Sequence, residues 1–128
     1  MLINIDKRAS PQLLFALAQM GHGDEIAIED ANFLATSTAM HCAVKEPISM
    51  LDVDTPKSIE LITKLIPLDT FSDVGISRME IDGAPDELGD VHKDTAAALQ
   101  NTTSSAVKHG SIDRQKFYKK SKTAFAIV

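Results

Sequence analysis

The chain has 128 residues, enough for one hydrophobic core and a single domain over 1–128 but not for two. Its net charge of −5 argues against a phosphate-backbone partner, and its 5% aromatic content and lack of tryptophan leave no large stacking platform for single-stranded nucleic acid. Cys42 stands alone, which excludes a disulfide framework and a thiolate zinc site and fits a reducing compartment. No apolar run approaches the roughly 18 residues of a membrane span. The opening Met1-Leu2-Ile3-Asn4-Ile5-Asp6-Lys7-Arg8 is too short and polar for a signal peptide. The expectation is a soluble, cytoplasmic domain.

Taken in order, Ser10-Pro11 opens a first helix, serine as N-cap and proline in the first turn. Leu13, Leu14, Leu17 and Met20 follow on one face, and Gly21 supplies the stop. His22 then lies between two glycines, Gly21 and Gly23. A strand over Glu25–Glu29 carries Ile26 and Ile28 on one face and Ala27 on the other, which implies cover on both sides. Asp30 ends it. The small polar residues of 31–38 read as a loop, and 39–44, with His41 and Cys42, as a weak strand whose His and Cys form a buried or edge pair rather than a ligand set. Residues 47–54 read as an irregular segment.

Thr55-Pro56 repeats the cap-and-proline start, and Ile59, Ile62, Leu65 and Ile66 form the inward stripe of a second helix ended by Pro67. Val74, Ile76, Met79 and Ile81 predict a strand with Arg78 and Glu80 on its other face. Gly83-Ala84-Pro85 turns the chain. Residues 86–100 predict a third helix, acidic at its start as the macrodipole favours. A polar loop over 101–105, a short strand over 106–109, a helix over 112–122 and a strand over 124–128 complete the pattern. Helices alternating with short apolar strands give an α/β class: a single layered domain with a central sheet flanked by helices.

Two blocks carry chemistry. The first is Met20-Gly21-His22-Gly23-Asp24-Glu25-Ile26 with Asp30-Ala31-Asn32-Phe33. The second is Ile112-Asp113-Arg114 with Phe117-Tyr118 and Lys122-Thr123-Ala124-Phe125-Ala126-Ile127-Val128. On the residues alone, His22 is either a loop histidine capping nearby carbonyls or a proton-transfer group. Asp24 either orients His22 or accepts backbone N–H bonds in a turn. Glu25 and Glu29 read as polar strand ends, and Asp113-Arg114 as the charged first turn of a helix. Tyr118 reads as a half-buried helix aromatic, and Lys116, Lys119, Lys120 and Lys122 as a solvated face. A metal site of His22, Asp24 and Asp30 is poorly supported, since one histidine is too few for a typical zinc ligand set.

Both blocks resemble the ribose pyranase and L-fucose mutarotase family of small sugar mutarotases, the second block its fucose branch. The resemblance runs from Ser10 to the end. It implies a cofactor-free isomerase that interconverts the α and β anomers of L-fucose, without metal. It assigns proton transfer to His22 and sugar contacts to Asp30, Arg114 and Tyr118, with Asp24 as a possible support for His22. It implies a homo-oligomer, a decamer of pentameric rings. A ribose pyranase activity and a catalytically weak sugar-binding relative are the alternatives. Two departures stand out: Leu34 replaces the proline usual after Asn-Phe, and the sequence ends at Val128, before the family's final Tyr-x-Asn strand.

His22 and Asp30 are eight residues apart. Fully extended, that is about 26 Å at about 3.3 Å per residue, too far for one pyranose. Either the glycine loop folds back, or the two residues come from different subunits.

Overall fold

Ser10 caps the first helix, its Oγ accepting the Leu13 N–H at 3.1 Å with Pro11 in the first turn. Helix α1, Pro11–Gln19, buries Leu13, Ala16 and Leu17 on one face. The computed structural model describes residues 2–103 and 106–128. Helix α1 stops when Met20 turns extended (φ −67°, ψ 136°), so Gly21 needs no left-handed conformation; that role falls to Gly23 at φ +83°.

Strand β1, Ile26–Ala27, pairs in parallel with β4, Ala126–Ile127. Flanking bonds lengthen the contact: Phe125 N–H donates to Glu25 O at 2.7 Å, and Glu29 N–H to Val128 O at 2.9 Å. The extended run therefore covers the whole of the expected strand. Both its faces are covered, as Ala27 implied. Ala126 lies in a core with Leu13, Leu17, Leu61 and Ile62, against which Ile26 and Ile28 pack. Ile127 turns to the other side, with Ala39, Cys42 and Ala124.

That second cluster corrects two expectations. Residues 31–38 are not all loop, because α2 forms over Ala35–Ala39. Residues 39–44 form no strand. The buried residues there are Thr38, Ala39 and Cys42, spaced at helical intervals rather than alternating. The chain after them runs beside β4 with two backbone bonds, Val44 N–H to Phe125 O at 2.9 Å and Ile48 N–H to Ile127 O at 2.8 Å.

Helix α3, Thr55–Thr63, takes its cap one residue earlier than expected. Asp54 Oδ1 accepts the Lys57 N–H at 2.8 Å, which leaves Thr55 and Pro56 inside the first turn. Its core contacts are Leu61 and Ile62. Strand β2, Ile76–Met79, pairs in parallel with β3, His109–Ile112. Close backbone approach fixes this unit: a Cβ on Gly75 would meet Asp69 O at 2.8 Å and Val107 Cγ1 at 2.9 Å.

Helix α4, Asp90–Thr102, crosses between β2 and β3 and packs on α3, where Thr63 Oγ1 meets Thr102 Oγ1 at 2.6 Å. It starts later than the acidic run predicted. Two turns after Ile81 occupy residues 81–87, and the cap falls at Gly89, whose N–H donates to His92 Nδ1 at 3.2 Å. The helix also takes in Asn101 and Thr102 from the expected loop; Ser104 and Ser105 lie outside the described residues. Strand β3 falls three residues beyond the expected 106–109, and Ile112 belongs to it. Helix α5, Arg114–Ser121, begins after Asp113, whose side chain accepts the Lys116 N–H at 2.9 Å.

The α/β class stands, its sheet divided among the described residues into two parallel pairs, β1–β4 and β2–β3. Among those residues no helix is long and apolar enough to cross a membrane.

Candidate functional site

The glycine-flanked histidine sits at the tip of a closed turn. Asp24 N–H donates to Gly21 O at 3.2 Å, and Asp24 Oδ2 accepts the Gly21 N–H at 2.8 Å. Of the two roles open to Asp24, the structure realises the turn-forming one. His22 itself is exposed, at the amino end of β1.

Asp30 lies at the opposite, carboxyl end of the same strand. Its Oδ1 accepts the Asn32 N–H at 2.7 Å, and its carbonyl accepts the Phe33 N–H at 3.1 Å. The resulting turn lays Phe33 edge-on to Tyr118 of α5, centroids 5.5 Å apart at 62°. Arg114 lies one helical turn before Tyr118 and on the same face, as i and i+4 residues do. Its Nη2 pairs with Asp82 Oδ2 at 2.9 Å, both side chains being half-exposed.

These groups gather at one kind of place. Asp30 follows β1, Asp82 follows β2, and Asp113-Arg114 follows β3. Ligands of parallel α/β sheets bind outside the carboxyl ends of the strands. Of the residues expected in a site, Asp30 and Tyr118 are linked through Phe33, and Arg114 shares the helix of Tyr118. His22 is not brought to them: residues 25–29 are extended between, about 16 Å of chain.

Two residues escaped the sequence reading. Asp82 holds Arg114, yet in the sequence it is only the aspartate of an Asp-Gly turn. Glu29 is the other. It is half-buried, and its carboxyl is raised from the ordinary 4.5 to about 7, first by burial; a hydrogen bond with Ser121 opposes the rise and the neighbouring Asp30 adds to it. The available signal was an acid placed directly after three apolar strand residues. Glu25, at the other end of β1, pairs with Lys120 at 2.6 Å. Among the described residues no group of three or more His, Cys, Asp or Glu is placed to hold a metal ion. The set His22, Asp24 and Asp30 is split between the two ends of β1.

This is the layout of a small-ligand domain of the parallel α/β class, its polar groups carried on turns that follow the strands. The chain belongs to the RbsD / FucU transport protein family, whose model matches residues 3–128. It is 37% identical over 130 residues to the fucose mutarotase of Mus musculus, covering 99% of this chain and 83% of that protein. The L-fucose mutarotase of Actinobacillus pleuropneumoniae serotype 5b (strain L20) is 33% identical over 130 residues, covering 100% and 85%. The crystal structure of the fucose mutarotase from Streptococcus pneumoniae in complex with L-fucose superposes with a TM-score of 0.84, at 31% identity, over 99% of this chain and 86% of that one.

Proposed function

We propose that the chain is an L-fucose mutarotase, a cofactor-free isomerase acting in the cytoplasm. The observation that carries this reading is its likeness, along its whole length, to the fucose mutarotase crystallised with L-fucose. In the reaction the hydroxyl at C1 loses its proton, the bond from C1 to the ring oxygen breaks, and the ring oxygen gains a proton. The aldehyde turns about its bond to C2, and the same steps in reverse close the ring on its other face. No redox change occurs, so positioned acid and base groups suffice, typically contributing about 10²–10⁴-fold.

In this reading His22 moves the proton. Asp30 accepts hydrogen bonds from sugar hydroxyls, and Arg114 donates a fixed fork to others without ever losing its charge. Tyr118 supplies a hydroxyl and a ring face. Because His22 and Asp30 sit at opposite ends of β1, the complete site forms between chains, His22 of one copy meeting Asp30, Arg114 and Tyr118 of the next. A homo-oligomer, the decamer that the resemblance implied, supplies that arrangement. Phe15, Met40, Leu51 and Phe71, all well exposed on the single chain, supply apolar surface for it.

The test is saturation-transfer NMR at the anomeric protons, with L-fucose and ribose in parallel. Exchange of fucose by the wild type and its loss in a folded His22→Ala variant are expected. Fucose bound without exchange would leave a binding protein, and faster exchange of ribose would move the chain to the pyranase branch.

A further inference from the structure

Ser121, at the end of α5, is 3% exposed, and its Oγ has two close neighbours. Glu29 Oε1 lies at 3.1 Å and Phe117 O at 3.0 Å. A hydroxyl has one hydrogen, and a carbonyl and a carboxylate both only accept. With Glu29 ionised, Ser121 can donate to the carboxylate, but the contact with Phe117 O then has no hydrogen in it. With a proton on Glu29, the count closes: Glu29 donates to Ser121 Oγ, which donates to Phe117 O. The backbone of Glu29 is itself fixed, its N–H bonded to Val128 O at 2.9 Å.

The surroundings favour the neutral acid. Lys120, beside Ser121 on α5, is committed to Glu25. Cys42, whose Sγ lies 3.3 Å from Ser121 O, has its thiol pushed up by burial and stays uncharged. Lys45, the charged group near Cys42, reaches back to Met40 O at 3.4 Å. Asp30 adds a like charge next to Glu29. Among the described residues no ion pair includes Glu29.

We propose that Glu29 is a positioning residue which, as the protonated acid, fastens the helix carrying Arg114 and Tyr118 to the strand end carrying Asp30. This rests on the reading of those three residues as the sugar contacts. Burial of Glu29 places its titration at about pH 7. Below that the link carries no charge. Above it Glu29 ionises, and although Ser121 can still donate to the carboxylate, the half-buried charge has no cation beside it among the described residues. Drawing in water relieves that cost and loosens α5 against the Asp30 turn.

The experiment compares the wild type with Glu29→Gln, whose amide donates to Ser121 at every pH, and with Ser121→Ala. Carboxyl carbon NMR follows Glu29, amide hydrogen exchange follows α5, and calorimetry gives the L-fucose affinity, each at pH 6 and pH 8.5. The wild type is expected to titrate Glu29 near neutrality, with faster exchange in α5 at pH 8.5. Its affinity should be weaker there by about fivefold, the worth of one hydrogen bond. Glu29→Gln should hold its pH 6 behaviour at both, and Ser121→Ala should already be weak at pH 6. A Glu29 that titrates with ordinary carboxylates overturns the proposal, as does a Glu29→Gln variant with the wild-type pH response. A wild type that binds no fucose but shows the α5 response would instead overturn the sugar reading and leave the link intact.

Discussion

Two acidic residues one position apart, Glu29 and Asp30, have opposite surroundings, and the difference is set by which way each side chain leaves the strand. Asp30 is exposed and tied to its own turn, whereas Glu29 is half-buried against Ser121. A carboxyl raised in the folded state binds its proton more tightly there than in the unfolded chain. Its contribution to stability is then complete below about 4.5 and is lost as pH rises through about 7. Urea midpoints should therefore fall between pH 5 and pH 8, and Glu29→Gln should remove that part of the slope; an unchanged slope would place its origin elsewhere. At the partner residue of the site, Arg114→Lys keeps the charge but loses the planar fork that meets Asp82. Fucose affinity should drop by about tenfold or more, while the melting temperature moves little; calorimetric titration beside a thermal scan separates the two. At this scale the sequence made His22, Asp24 and Asp30 legible, because glycines and aspartates punctuate a turn and a strand end. Glu29 and Asp82 were not legible, since their partners Ser121 and Arg114 lie far along the chain.

Helices whose ends are set by neighbours in sequence were the easiest elements to read. Ser10 and Pro11 define the start of α1, and Ser10→Ala should cost about 1 kcal/mol in chemical denaturation, with Ser10→Gly costing only a few tenths. Equal losses for the two variants would mean that the cap bond to Leu13 is not what holds that end. Where two cap-forming residues stand in a row, as Asp54 and Thr55 do, the sequence leaves a one-residue ambiguity that geometry resolves toward Asp54. Strands β1 and β4 were legible as well, β1 from the alternation of Ile26 and Ile28 with Ala27 and β4 as an apolar run over 124–128, although their paired cores are only Ile26–Ala27 and Ala126–Ile127. The five-residue α2 was hidden: it buries Thr38 and Ala39, not the large apolar stripe by which helices announce themselves.

At the scale of the whole molecule, the separation of His22 from Asp30 becomes a statement about assembly. Mixing inactive His22→Ala chains with inactive Asp30→Ala chains, under conditions that let subunits exchange, should restore a fraction of wild-type anomer exchange. Some interfaces would then hold both native residues. No recovery after verified exchange, or full activity in a diluted monomer, would return the site to a single chain. The same ladder that separates the two residues also governs when the protein can fold. Ile26 is paired with Ala126, one hundred positions later, whereas Ile76 and His109, joined through α4, are 33 apart. At about 5–20 residues per second, a ribosome needs roughly 5–20 s to make the strand that β1 awaits. Through that interval Ile26, Ile28 and the apolar face of α1 lack the part of their covering that β4 supplies, while the β2–α4–β3 unit can already close. Damage confined to the last few residues of β4 should therefore act first on yield, through chaperone retention and degradation of the nascent chain, before any sugar is met.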